Sequence, residues 1–512
     1  MAKTVNALPF AAPAVDGGSG VPLYRQLYEG LRDAILSGRL APGTRLASTR
    51  EIAAELGLSR NTVTNAFDQL LAEGYVEAQT GSGTYVSKSL PDELLNTRAV
   101  PSAHVRLERK GRGLSRRGEA LAKMRLKVDC PAAGAVRPFR VGQPAVDAFP
   151  FQTWQRIVTR HWQRPQRSLL GYGDPAGYAP LREAVAAYVG AARAVRCAPE
   201  QVIIVAGTQQ AIDLVARVLL DPGDVAWVEE YGYPAARGAL AAAGARLVAV
   251  PVDEEGLDVA RAAALAPEAR LVYVSPSHQY PLGVTLSLGR RLALLEWAAR
   301  AGAWVVEDDY DSEFRYAGRP LAAMQGLDTT GRVIYLGTFS KVLFPSLRLG
   351  YMVVPPDMVD AFTTARALVG WCSPAVDQAV LTDFVNEGHF ARHIRRMRSL
   401  YAARQGALVE AAGRELGGLL EVSPSAAGMH LVGWLPEGVD DREAARAAAQ
   451  YGVHTQPLSY FAVEHNRRGA LVLGYAAYDE REIAEAAARL ASALRGVAAR
   501  VCRKVCCEEK VC

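Results

Sequence analysis

The chain has 512 residues, half of them hydrophobic and 22% charged, with a formal net charge of only +5. That composition excludes a disordered, collagen-like or coiled-coil protein, and at roughly 150 residues per domain the length calls for several cores. No apolar run reaches the roughly 20 residues a bilayer-spanning helix needs, and residues 1–20 lack a basic flank ahead of an apolar segment, so the expected address is the cytoplasm, with no membrane partner.

Residues 20–88 read as one module. Over residues 24–37, Leu27, Leu31, Ala34 and Ile35 recur at the spacing of one helix face, and Gly38 ends the run. A second helix over residues 49–56 stops at Gly57, and Ser59 is placed to cap a third that starts at Arg60 and is stopped by Gly74. Two helices joined by Gly57-Leu58-Ser59 match helix-turn-helix geometry, in which the second helix presents its N-terminal residues to the major groove of double-stranded DNA. Ser59, Arg60, Asn61, Thr62 and Thr64 stand at that end, with side chains suited to base edges and phosphates. Residues 75–78 and 84–86 then alternate about Gly81-Ser82-Gly83, a hairpin whose tip can serve as a wing in an adjacent minor groove.

In order along the chain, Leu36-Ser37-Gly38-Arg39-Leu40 with Pro42-Gly43, Ser48-Thr49-Arg50, Ser59-Arg60-Asn61-Thr62-Val63 and Gly83-Thr84-Tyr85-Val86 make this module similar to the winged helix-turn-helix of the GntR family. The resemblance implies an operator contact for Arg50, to phosphate or guanine, and for Gly83 in the wing.

Residues 89–137 lose helix and strand periodicity and gain Arg, Lys, Pro and Gly, the composition of a basic, flexible linker. Arg106, Arg109, Lys110, Arg112, Arg116 and Arg117 form a run that fits either a polyanion contact or a solvated tether. In residues 138–498 the pattern changes to short β-rich runs at 202–205, 225–228, 271–274, 304–306 and 333–336, with helical patterns between most of them. That alternation predicts an α/β unit with a mostly parallel, fully buried sheet. Residues 357–417 read as helical, and strands at 429–434 and 471–473 belong to a smaller α+β unit closed by a helix from Glu480 to about Leu494.

Four segments at strand ends carry chemistry. Gly337-Thr338-Phe339-Ser340-Lys341, with Arg348 beyond it, follows a buried strand, where ligands of α/β sheets bind. A lysine in apolar surroundings loses preference for its charged form and can condense with an aldehyde, and an arginine fork suits a phosphate dianion. Glu307-Asp308-Asp309-Tyr310-Asp311 places a carboxylate where it can hold a pyridinium nitrogen protonated. Ala206-Gly207-Thr208-Gln209 opens a helix able to cradle phosphate, and Glu229-Glu230-Tyr231-Gly232-Tyr233 offers a ring for stacking.

In this order the segments resemble fold-type I, pyridoxal 5'-phosphate-dependent aminotransferases of class I over about residues 139–494. The resemblance assigns Lys341 to the internal aldimine, Asp308 to the ring nitrogen and Tyr310 to the ring hydroxyl. It gives Arg348, Thr338 and Ser340 to the phosphate region, Thr208 and Gln209 to the phosphate cup, and Tyr233 to stacking on the ring. Two departures stand out. Ser275-Pro276-Ser277-His278-Gln279-Tyr280-Pro281-Leu282-Gly283 occupies the place of an Asn-Pro-Thr-Gly loop without its asparagine, leaving His278 and Gln279 as substitutes. Val472 stands where the family carries the Arg that clamps a substrate carboxylate, which leaves either Arg237 in that role or an effector that is not an ordinary amino acid.

Joined, the two halves resemble the MocR subfamily of bacterial regulators: a GntR-type reader fused to an aminotransferase-like domain. The resemblance implies a head-to-tail, domain-swapped homodimer that senses an amino compound, or the cofactor itself, through an aldimine at Lys341. The rival is an active aminotransferase carrying a DNA-binding module; the missing Arg at position 472 tilts the reading to a sensor without turnover. Of the seven cysteines, Cys502, Cys506, Cys507 and Cys512 crowd residues 499–512 without paired metal-ligand spacing, so no metal is expected there.

Overall fold

Apolar spacing and caps lay out the N-terminal helices. α1 (Leu23–Leu36) buries Leu27, Tyr28, Leu31, Ala34 and Ile35 along one face. Ser48 starts α2 (Thr49–Leu56) with a capping box: its Oγ accepts from Glu51 N at 3.3 Å, and its own N donates to Glu51 Oε2 at 2.8 Å. Gly57 ends α2 at φ 65°, and Ser59 Oγ then accepts from Thr62 N at 3.1 Å to start α3 (Arg60–Ala72). Val63, Ala66, Phe67 and Leu70 of α3 pack with the apolar face of α1. β1 (Val76–Gln79) and β2 (Gly83–Val86) pair antiparallel, with Val76 opposite Val86. Leu46 N donates to Thr84 O at 2.8 Å, so the segment ahead of α2 lies along the hairpin.

The computed structural model describes residues 15–16, 18–79, 82–90, 113–123, 137–164, 166–318, 321–464 and 468–508. It divides into two units, Met1–Gly113 and Leu114–Cys512. Gly81 of the expected wing tip, and Arg106, Arg109, Lys110 and Arg112 of the basic run, lie outside the described residues. The stretch expected to be aperiodic contains a helix, Arg116–Lys123. Its start was marked by Ser115, whose Oγ accepts from Gly118 N at 3.0 Å, and by Glu119 in the first turn.

In the second unit a seven-stranded sheet forms the framework. Its strands are β3 (Val202–Val205), β4 (Val225–Glu229), β5 (Arg246–Val250), β6 (Leu271–Val274), β7 (Trp304–Asp309), β8 (Val333–Thr338) and β9 (Gly350–Val353). Their order is β3-β9-β8-β7-β6-β4-β5. The run from β8 through β7, β6 and β4 to β5 is parallel, whereas β9 is antiparallel to both β8 and β3. All five expected strands form, and β5 and β9 are additional. Because Thr338 lies opposite Gly350, the connection 339–349 leaves and re-enters the sheet at the carboxyl end of β8. Phe339, Val342, Leu343 and Leu349 of that connection are sunk in the core.

A second sheet contains β10 (Glu421–Val422), β11 (His430–Trp434), β12 (Gln456–Pro457) and β13 (Ala470–Gly474), in the order β10-β11-β13-β12 and antiparallel throughout. The closing helix runs Glu480–Glu508, well past the expected end near Leu494. Val497 remains fully buried against Ala447 and Ala493, and Arg500 Nε meets Glu443 Oε1 at 3.0 Å, so this helix keeps a packing face beyond that point. The side chains of Cys502, Cys506 and Cys507, and all of Cys512, are outside the described residues. Among the described residues no helix is long and apolar enough to cross a membrane.

The Ser48 capping box yields a stability prediction. Ser48→Ala removes the cap and costs about 1 kcal/mol, so amides of α2 in the full chain exchange with solvent roughly fivefold faster; unchanged exchange counts against the cap as the determinant of α2.

Candidate functional site

The carboxyl ends of the parallel strands converge on a cavity of about 220 Å³. Lys341, Asp308, Tyr310, Arg348, Tyr233, Thr208, Gln209, Thr338 and Ser340, all expected from the sequence, line it. Asp308 comes from the end of β7, and Thr338, Ser340, Lys341 and Arg348 from β8 and its following connection. Thr208 and Gln209 open the helix Thr208–Leu219 after β3, and Tyr233 caps the helix Pro234–Ala242 after β4.

Lys341 Nζ donates to Gly142 O at 2.9 Å. Burial lowers its pKa, against the attraction of Asp311 and Asp308, and Arg348 adds to the lowering. Tyr273 donates its hydroxyl to Asp308 Oδ2, while Asp308 Oδ1 is buried without a partner. Burial pushes the Asp308 carboxyl up to about 7. His278 Nδ1 lies 2.9 Å from Tyr310 Oη and 3.0 Å from Asp311 Oδ2. With Asp311 as the acceptor, Nδ1 carries the hydrogen, and the phenol hydrogen of Tyr310 is left free to donate elsewhere.

At the other end, Ser340 N donates to Thr338 Oγ1 at 3.2 Å, and Ser340 Oγ is buried without a partner. Arg348 adopts a left-handed backbone, φ 51°. A Cβ on Gly207 would come within 3.3 Å of Arg348 Nη2, so glycine is what lets the guanidinium lie against this turn. Among the described residues no carboxylate is ion-paired with Arg348.

The open alternatives resolve unevenly. Gln279 is tied to its own surroundings: Nε2 donates to Tyr231 O at 2.6 Å and Tyr280 O at 2.8 Å, and Oε1 accepts from Leu282 N at 3.1 Å. His278, also buried, bears on the cavity through Tyr310. Val472 is fully buried in β13, packed with Leu458, Phe461 and Ala470. Arg237 is not among the residues lining the cavity, and its Nη1 donates to Phe461 O at 2.5 Å. Its place one turn into a helix was visible in sequence, but the carbonyl that captures it was not.

Tyr273, Ser275, Tyr280, His430 and Gln456 line the cavity without having been singled out. Tyr273 was legible as the alternate residue of a strand whose carboxyl end faces the site. His430 and Gln456 arrive from β11 and β12, for which no local pattern gave a direction.

In the N-terminal unit, Arg50, Ser59, Arg60, Asn61 and Gly83 are exposed. Thr62 and Thr64 are half-buried; Thr62 Oγ1 sits 2.8 Å from Ser59 Oγ, and Thr64 Oγ1 donates to Arg60 O at 2.9 Å. Arg60 and Asn61 are therefore the free polar side chains at the start of α3.

Residues 23–86 match the family of bacterial regulatory proteins of the gntR family, and residues 139–490 match aminotransferase class I and II. Fold and cavity thus define a transcriptional regulator with an aminotransferase-like domain. Over 479 residues, 94% of this chain and 95% of the relative, the sequence is 44% identical to the probable rhizopine catabolism regulatory protein MocR of Rhizobium meliloti. It is 34% identical to the HTH-type transcriptional regulator TauR of Rhodobacter capsulatus, covering 95% of this chain and 98% of that one. The structure of LysN, the alpha-aminoadipate aminotransferase from Thermus thermophilus, superposes with a TM-score of 0.66 at 31% identity, covering 76% of this chain and 97% of that chain. The chain belongs to the MocR subfamily of GntR-type transcriptional regulators. Its cofactor is pyridoxal 5'-phosphate, and the cavity fits that group: a buried amine, an unpartnered carboxylate oxygen and a guanidinium free of carboxylates line one space.

Besides Asp308, burial raises Glu307 and Glu313 to about 7 and Glu229 to about 8. Unfolded carboxyls titrate near 4, so between roughly pH 4 and 8 the folded state binds more protons. This contribution to stability is present at low pH and is lost as pH rises through 7 to 8. For the cofactor-free chain, the thermal midpoint reported by tryptophan fluorescence is expected to be higher at pH 6 than at pH 8. Asp308→Asn is expected to narrow that difference; an unaltered difference would remove Asp308 from the account.

Proposed function

We propose that this regulator reads a double-stranded operator with its winged helix and is switched by an amino compound that exchanges with Lys341 on the cofactor. The observation that carries this reading is the meeting of Lys341 Nζ, the unpartnered Asp308 Oδ1 and the carboxylate-free Arg348 in one buried cavity. When bound, pyridoxal 5'-phosphate supplies an aldehyde for amines and a ring that withdraws electrons.

The chain's own residues divide the work of holding it. Lys341, whose preference for the charged form burial weakens, supplies the amine. Asp308 is held by Tyr273 and would present its other oxygen to a protonated ring nitrogen. Tyr310, fixed by His278, would donate its hydroxyl hydrogen to the ring oxygen, and Tyr233 would cover the ring. Arg348, Thr338, Ser340, Thr208 and Gln209 would receive the phosphate, with the helix starting at Thr208 adding its N-terminal amides. Arg50, Ser59, Arg60, Asn61, Thr62, Thr64 and Gly83 form the DNA face.

The working assembly we infer is a head-to-tail, domain-swapped homodimer in the bacterial cytoplasm, which lets two winged units address a two-fold operator. A ligand that favours one dimer arrangement by about 1–3 kcal/mol changes DNA affinity roughly 5- to 150-fold, enough for a switch.

Lys341→Ala is expected to abolish the near-visible absorbance of the bound cofactor and the borohydride-trapped adduct while leaving DNA binding without effector intact; persistent absorbance rejects Lys341 as the attachment point. Arg60→Ala is expected to weaken operator binding by about 1–3 kcal/mol with unchanged absorbance, measured by fluorescence anisotropy. Sustained transamination at roughly 1–1000 per second across a panel of amino donors and 2-oxo acids would instead identify an enzyme.

A further inference from the structure

We propose that Arg45, laid along the wing beside its tip, grips a phosphate of the DNA backbone next to the groove the wing enters. The inference rests on the preceding reading that the winged unit binds double-stranded DNA, and it adds to the DNA face a residue outside the helix-turn-helix.

The segment ahead of α2 is fixed as a third strand of the hairpin. Gly43 N donates to Val86 O at 2.9 Å, Val86 N to Thr44 O at 2.9 Å and Leu46 N to Thr84 O at 2.8 Å. Arg45 bridges to Tyr85, and Tyr85 in turn stands opposite Glu77. Residues opposite each other across antiparallel strands share a side of the sheet, and neighbours along a strand alternate. Leu46, Val76 and Val86 take the side that packs into the core of this unit. Arg45, Tyr85 and Gly83 therefore stand on the outer side.

On that side the guanidinium lies against Gly83. A Cβ at this position would sit 3.0 Å from Arg45 Nε and 3.4 Å from its Nη2, and the backbone has φ 118°, so the arginine and the chain conformation both call for glycine. Tyr85 braces the neighbouring tip: its Oη lies 2.7 Å from Ser82 Oγ and donates to Ser82 O at 3.2 Å. Arg45 is exposed. Glu51 feels its charge, but Glu51 Oε2 accepts from Ser48 N at 2.8 Å within the capping box. Among the described residues no hydrogen bond or ion pair engages the guanidinium.

An arginine fork resting on a braced hairpin has less rotamer freedom to lose when it takes an anion. The edges of a DNA groove are rows of phosphates, whose oxygens match the planar donors of the fork. Contacts of this kind fix the register of a protein on the duplex and carry no sequence information, whereas contacts to base edges do. Arg45 would then seat the wing, and the free side chains of Arg60 and Asn61 at the start of α3 would read the bases.

Fluorescence anisotropy of the full-length protein on a labelled duplex from upstream of its own gene, and on an unrelated duplex of equal length, separates these roles. Arg45→Gln is expected to weaken binding to both duplexes by a similar factor, roughly tenfold. It is also expected to make the fall of log affinity with log salt shallower by about 0.9 for each wing engaged. Arg45→Lys keeps the charge and is expected to keep the salt slope, with a loss of roughly threefold or less. Arg25→Gln, a change at a side chain paired with Glu29 on α1, is expected to alter neither quantity.

Unchanged affinity and slope in Arg45→Gln overturn the contact, as does an equal effect of Arg25→Gln, which reports overall charge alone. A loss confined to the upstream duplex, with the slope intact, overturns the phosphate assignment in favour of a base contact. If Arg45→Gln also unfolds at a lower temperature, the slope decides: one as steep as that of the unaltered protein overturns the contact, and a shallower one supports it. Unaltered protein that binds neither duplex overturns the preceding functional reading, and this proposal with it.

Discussion

Between Thr338 and Gly350 the chain leaves the sheet and returns beside itself, and nearly everything in the cavity depends on that return. Phe339 N donates to Leu349 O at 3.1 Å and closes the base of the loop. Four apolar side chains anchor it from below, so Ser340, Lys341 and Arg348 have little freedom except to face the cavity. The register needs a residue without a side chain at position 350, since a Cβ there would sit 2.9 Å from Gly337 O and 3.0 Å from Gly207 Cα. One close approach thus joins β8, β9 and the turn after β3, bringing the expected phosphate-holding residues of three segments to one place.

A second constraint operates at the end of β7, where consecutive acidic residues point in alternate directions. Asp309 is spoken for: Arg193 Nε lies 2.7 Å from its Oδ2, and Tyr335 donates to the same oxygen at 2.5 Å. Glu307 accepts from Met324 N at 2.8 Å and Gln325 N at 2.9 Å. Only Asp308 faces the cavity with an oxygen to spare. The buried pairs behind the strand keep their neighbours from competing for the same role, at the cost of holding several carboxyls in a poorly solvated place.

Much of this could be read from residue order. Caps, stopping glycines and apolar spacing defined the three N-terminal helices, and five buried runs became five strands. The motif after β8 disclosed the reactive lysine because its neighbours in the fold are also its neighbours in the chain. Other features were hidden for physical reasons. β5 is half-buried and begins with Arg246, so it lacks the fully apolar signature of its partners. β9 was concealed by following the motif so closely. Choosing among Glu307, Asp308 and Asp309 by residue type alone was not possible; strand alternation and the position of Arg193 decide it. His430 and Gln456 enter from elements far along the chain, and only tertiary packing places them at the cavity.

The bond from Lys341 to the carbonyl of Gly142 ties the reactive amine to the segment by which the polypeptide enters this half of the molecule. Phe139, three positions earlier, bridges to Gly474 at the end of β13. An acceptor left without its donor must find a new one or shift. Chemistry that occupies Nζ therefore bears first on the backbone at Gly142, a few residues from the bridge that fastens the start of this unit to its smaller sheet.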